Sequence, residues 1–155
     1  MSNERGITLN EIRYAERLCQ RTARLYRHVQ SFGTWLTVVG GSGTLAALAN
    51  NVPNWVPITG AIVFAAAGAA LIAMRPADKA AMNEADAKRY AALRTRGLGL
   101  DDKALRAALE EARQSDVAEV EALRDVAWND VVQEVGYADK RVLLSIPQRL
   151  LSAIA

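Results

Sequence analysis

The chain has 155 residues, 51% of them hydrophobic but only nine aromatic, which is enough for one domain at most. One cysteine, Cys19, excludes an intramolecular disulfide, and one histidine, His28, excludes a zinc site built on paired histidines or a Cys/His cluster. Nineteen basic residues against seventeen acidic leave a formal charge of +2, so no nucleic-acid partner is expected and the placement of the charges carries the information.

In the first segment, 1–30, Ile12, Ala15, Cys19, Thr22, Tyr26 and Val29 fall at steps of three or four, while Arg13, Arg17, Arg21 and Arg24 line another face. That pattern predicts an amphipathic helix, with Thr8 or Asn10 as its cap. Its basic stripe either touches anionic headgroups or only enforces orientation.

From Ser31 to Met74 there are 44 residues without Asp, Glu, Lys, Arg or His. A spanning helix needs about 20 apolar residues, and the window holds two, at 31–50 and 55–74. Between them Asn51-Val52-Pro53-Asn54 suits a tight reversal, and Pro53 and Pro57 belong near a helix start. The prediction is an all-α integral membrane protein with a two-helix transmembrane hairpin at 31–74, and the lipid bilayer as its first partner. A secretory signal peptide fails as a competitor: the apolar run starts thirty residues in, is too long and is followed by a second span, so the chain is expected to be retained intact. The serious competitor is a soluble bundle that buries the hairpin on all sides.

The basic residues flank the window. Arg21, Arg24 and Arg27 precede it and Arg75 and Lys79 follow it, while the connecting turn has none. The positive-inside tendency then puts both termini in the cytoplasm of a multi-pass inner-membrane protein. Cys19 lies on the reducing side as a buried or idle thiol, and His28 is read as interfacial.

The second span should insert by itself, whereas Gly33, Gly40, Gly41 and Gly43 with Thr34, Thr37, Ser42 and Thr44 make the first one need a protein neighbour. Gly33, Thr37 and Gly41 recur every four residues, as do Ala61, Ala65, Ala69 and Ala73. Such small-residue stripes let backbones approach closely. They close the hairpin within one chain or join copies into a homo-oligomer. Thr34, Thr37, Gly41 and Thr44 share a face that could line a pore, or each hydroxyl bonds the carbonyl one turn back. The run 34–46 imitates a strand followed by a dinucleotide fingerprint. The ribose-binding acid about 20 residues on is absent, however, since the next acidic residue is Asp78, and no Lys follows the glycines as a phosphate loop requires.

The remainder, 75–155, is predicted to be cytoplasmic and helical. Arg75-Pro76 breaks the chain, and a helix follows to about Arg96. Gly97-Leu98-Gly99-Leu100 turns, and Asp101 caps one long helix carrying Leu105, Leu109, Ala112, Val120, Leu123, Ala127, Val131 and Val135 to Gly136. Glu110, Glu111, Glu119, Glu121 and Arg124 read as a solvated face. Trp128-Asn129-Asp130 would dock a partner or pack Trp128 in the core. The run 142–155 is too short to span and would lie on a membrane face or pack beneath the hairpin.

This layout of an N-terminal helix, a two-span hairpin with a minimal outer turn and long cytoplasmic helices resembles the SLATT family of two-transmembrane proteins. The resemblance covers nearly the whole chain, is one of architecture, and carries no residue roles. It implies an oligomeric effector that perturbs or perforates the membrane in bacterial conflict, triggered by a cytoplasmic protein or a nucleotide signal, though no separate sensor domain is present. The alternative is a membrane-anchored scaffold, such as a phage or prophage exclusion factor. One His, one Cys and no catalytic constellation leave no enzyme, cofactor or metal site to expect.

Overall fold

A computed structural model describes residues 3–49, 53, 55–117 and 119–155, with the side chains of 3, 44–49 and 138 outside the description. Within that range the chain is all-helical. The helices are α1 (Asn3–Ala49), α2 (Trp55–Met74), α3 (Pro76–Arg96), α4 (Asp102–Gln114), α5 (Arg124–Glu134) and α6 (Ile146–Ile154). Two compact units form. One comprises 1–25 with 79–155, the other 26–78, so the two ends of the sequence share a unit.

The larger unit has two cores, and α1 contributes to both. Leu9, Ile12, Ala15 and Cys19 of α1 meet Ala87, Tyr90 and Leu93 of α3 and Leu105, Leu109 and Ala112 of α4. Leu18 of α1 meets Leu123, Val126, Ala127 and the C-terminal Ala155, with Leu144 and Leu151 packed against them. Spacings of three and four put each set on one stripe, and burying those stripes supplies the driving force. The run 142–155 therefore packs through one of its faces into a core of this unit.

Polar side chains join these helices end to end. Arg5 donates to the carbonyls of Gly97 (2.8 Å), Leu98 (2.9 Å) and Leu100 (2.6 Å), filling acceptors at the turn that ends α3. Asp101 caps α4 by accepting from Ala104 N at 2.7 Å, as predicted.

Two expectations are corrected. α1 begins at Asn3, so Thr8 and Asn10 lie inside it, and the Thr8 hydroxyl bonds the Glu4 carbonyl at 3.1 Å. The single helix expected from Asp101 to Val135 is broken after Gln114. Tertiary bonds hold the chain out of helix there: the Asp116 carboxylate accepts from Arg89 (2.7 Å) and from the Tyr90 hydroxyl, and Val117 N donates to Asp86 at 3.1 Å.

Between α2 and α3, Arg75 adopts φ +47°, the left-handed conformation that costs a side chain about 1–2 kcal/mol. Its N–H bonds the Leu71 carbonyl at 3.0 Å, closing α2, and Pro76 cannot continue that helix. The predicted break is thus a helix cap followed by a new helix start.

Candidate functional site

The residues predicted to cross a membrane lie in the unit 26–78, whereas the flanking Arg21, Arg24 and Lys79 belong to the larger unit. Among the described residues one helical run, beginning at Trp55, is long and apolar enough to cross a membrane, and only 6% of its most apolar window is buried. Ile58, Ile62 and Ile72 of α2 are all exposed.

α1 and α2 touch through glycines. A Cβ on Gly33 would collide with the Leu71 side chain, and one on Gly40 with the Phe64 ring. Seven residues forward on α1 correspond to seven back on α2, so the helices run antiparallel over this contact. Large side chains of α2 sit where α1 has none, the arrangement that lets helices approach closely. Gly33 was legible as a packing position. Gly40 with Phe64 and Leu71 was not, although the shared seven-residue spacing, two helical turns, was a readable signal.

The other small residues lie elsewhere. Gly41 faces open space, and Ala61, Ala65, Ala69 and Ala73 are exposed. Thr37 and Gly41 of α1 join Ala61, Ala65, Gly68 and Ala69 of α2 along one open groove of about 570 Å³. Ala73 does not line it.

Three hydroxyls of α1 in this unit are satisfied locally. Thr34 donates to the Gln30 carbonyl and Thr37 to that of Gly33, each at 2.9 Å, and Ser42 donates to Val38 at 2.8 Å. Each of the three bonds its own helix one turn back, so none of them is an unpaired donor in an apolar setting. The Thr44 side chain and the reversal at Asn51, Val52 and Asn54 lie outside the described residues. The fingerprint-like run 34–46 is part of α1.

The flanking cations have distinct surroundings. Arg21 forms a two-pronged pair with Asp130 of α5 (2.8 and 3.0 Å) and also donates to the Ser152 carbonyl at 3.1 Å. Arg75 pairs with Asp78 at 2.6 Å. Arg24, Arg27 and Lys79 are exposed. Arg17 of the same stripe bonds Glu134 at 2.7 Å, so part of the basic face of α1 meets carboxylates of α5.

Trp128 and Asn129 hold the segment 140–142, and Asp130 holds α1. Trp128 Nε1 donates to the Lys140 carbonyl at 3.2 Å and its ring meets Tyr14 edge-on. Asn129 grips both backbone groups of Val142 at 2.8 Å, while Asp130 takes Arg21.

In the larger unit, burial pushes the Cys19 thiol up to about 12, with Asp116 adding to the effect. The Tyr90 hydroxyl is raised by burial and by its bond to Asp116. The Arg17 bond holds the Glu134 carboxyl below its ordinary range. Arg17 and Glu134 border an open cleft with Arg21, Arg24, Asp130 and Gln133. Among the described residues no cluster of three or more His, Cys, Asp or Glu could hold a metal ion. No family model, curated protein or solved structure matches the chain.

Proposed function

We propose that this chain is an oligomeric inner-membrane protein that perturbs or perforates the bilayer, an effector in bacterial conflict. In this reading 31–50 and 55–74 cross the membrane as a hairpin, both termini are cytoplasmic, and a cytoplasmic protein or nucleotide signal is the trigger. The observation that carries it is α2, apolar over 20 residues and left uncovered by the rest of the described chain. Exposed to water, its aliphatic side chains would each cost about 1.5–3 kcal/mol relative to burial, whereas in lipid that cost vanishes. The antiparallel seating of Leu71 at Gly33 and Phe64 at Gly40 supports a hairpin. The open small-residue groove supports assembly, because close backbone approach drives helix association in lipid. The conflict role comes from the resemblance to SLATT proteins.

The test is induced expression in a bacterial host, with the protein's membrane fraction and the membrane potential followed in the same cells. Rapid depolarisation with growth arrest is expected. Gly41→Leu, and Ala65→Leu with Ala69→Leu, should keep the chain in the membrane while abolishing depolarisation, because added bulk fills the groove yet raises hydrophobicity. A second reading is an anchored scaffold that recruits a partner. It requires a membrane-bound chain that leaves the potential intact.

A further inference from the structure

The C-terminal helix has two apolar faces, and the packing of the larger unit uses one. Leu144, Leu151 and Ala155 pack into a core. Leu143 is 90% exposed, Ile146 75%, Leu150 67% and Ile154 48%. Ile146, Leu150 and Ile154 recur every four residues, so they form one outward stripe. These are not side chains on a loose tail. Asn129 holds both backbone groups of Val142. Gln148 accepts from Ser145 N (2.9 Å) and Ser145 Oγ (3.0 Å) at the start of α6, and donates to Asp125 of α5 at 2.7 Å. Leu143 is thus presented from backbone anchored on both sides.

The side-chain charge within this run has one sign. From residue 140 to the end the sequence has Lys140, Arg141 and Arg149 and no Asp or Glu. All three cations are exposed, and their polar contacts are to neutral groups: Arg141 to Gln133, Arg149 to the Leu144 carbonyl, and Lys140 over the Tyr137 ring. Of the α5 carboxylates, Asp130 is engaged by Arg21 and Glu134 by Arg17, while Asp125 accepts from Gln148 on the side of α6 that faces α5. Arg149 lies about 60° round the helix from Ile146, at the edge of the apolar stripe. An apolar stripe with basic residues at its rim, held parallel to the surface that supports it, is the pattern of a helix lying in a lipid interface. There aliphatic side chains enter the acyl boundary and cations meet phosphates.

We propose that Leu143, Ile146, Leu150 and Ile154 dock on a bilayer surface bearing anionic headgroups, with Arg141 and Arg149 facing the lipid phosphates. This contact is separate from the proposed spanning by α2 and does not depend on it.

The full chain is reconstituted into vesicles of phosphatidylcholine alone and of phosphatidylcholine with about 30% phosphatidylglycerol. An environment-sensitive fluorophore is placed on Leu150→Cys, on Ile62→Cys to report α2, and on Arg106→Cys as an exposed control on α4; the unsubstituted chain checks that buried Cys19 takes no label. The label at position 150 should be blue-shifted and at least twofold quenched by spin-labelled lipid in the anionic vesicles. High salt or Arg141→Gln with Arg149→Gln should weaken that quenching severalfold, while position 106 stays water-like. If position 150 behaves like position 106 in both vesicles, the inference fails, and quenching at position 62 would show that the spanning reading survives it. Quenching at position 150 but not at position 62 would uphold surface docking and overturn spanning. Equal quenching without phosphatidylglycerol would overturn the anionic preference. A shielded label that lipid does not quench, and that dilution exposes, would assign the stripe to a second copy of the chain.

Discussion

Arginine side chains tie the larger unit together at particular atoms, and their partners make its stability depend on pH. Arg17 bonds Glu134 and holds that carboxyl below its ordinary range, while the same bond raises Arg17. A lowered carboxyl pKa means that the unfolded chain binds more protons than the folded one in this range. The contribution is therefore complete above the ordinary glutamate pKa and is lost as pH falls through the lowered value. Glu134 is about one-third exposed, so the pair is worth under about 1 kcal/mol at neutral pH. Glu134→Gln should flatten the acid limb of a thermal-midpoint titration and change the midpoint little at pH 7. An unaltered acid limb would show that the Arg17 bond does not persist in solution.

At the scale of elements, neighbouring glycines of α1 make opposite predictions. A methyl at Gly40 meets the Phe64 ring, whereas one at Gly41 meets nothing. Gly40→Ala should lower stability by about 1–3 kcal/mol through overpacking. Gly41→Ala should leave it unchanged or raise it by up to about 1 kcal/mol, because alanine favours helix. Thermal loss of helical circular dichroism in detergent separates the two, and equal midpoints would remove Gly40 from the helix contact. The residue types in 31–74 made close helix approach legible, but which glycine receives a side chain depends on the rotation of α1 against α2. A one-residue difference turns a side chain about 100° round a helix, so four-residue stripes in an Ala- and Gly-rich run mark several faces at once.

For the whole molecule, the proposed reading makes α2 the part that commits the chain to lipid. An aspartate near the centre of a spanning helix costs about 3–4 kcal/mol relative to isoleucine, enough to shift an insertion equilibrium by two orders of magnitude or more. Ile62→Asp should release most of the protein from carbonate-washed membranes, and Met82→Asp, on the exposed face of α3, should not. Retention of the Ile62→Asp variant would mean that something other than α2 holds the chain to the membrane. The C-terminal stripe is the next place to look.

The sequence by itself determined the features that depend on neighbours along the chain. An uncharged window of 44 residues, the limits of α2, the break at Arg75-Pro76 and the Asp101 cap all follow from local composition, backbone chemistry or one side chain bonding three residues on. The helical content of 75–155 and most of its core stripe were legible for the same reason. Tertiary structure alone decided what arises between distant residues. Asp116 ends α4 because Arg89 and Tyr90 lie beside it. Arg21, whose spacing suits a headgroup-facing stripe, meets Asp130 109 positions away. The run 142–155 buries one face and exposes another because α1 and α5 cover only one side of it. Periodicity along a helix names the faces, and only the arrangement of the other helices selects which of them is covered.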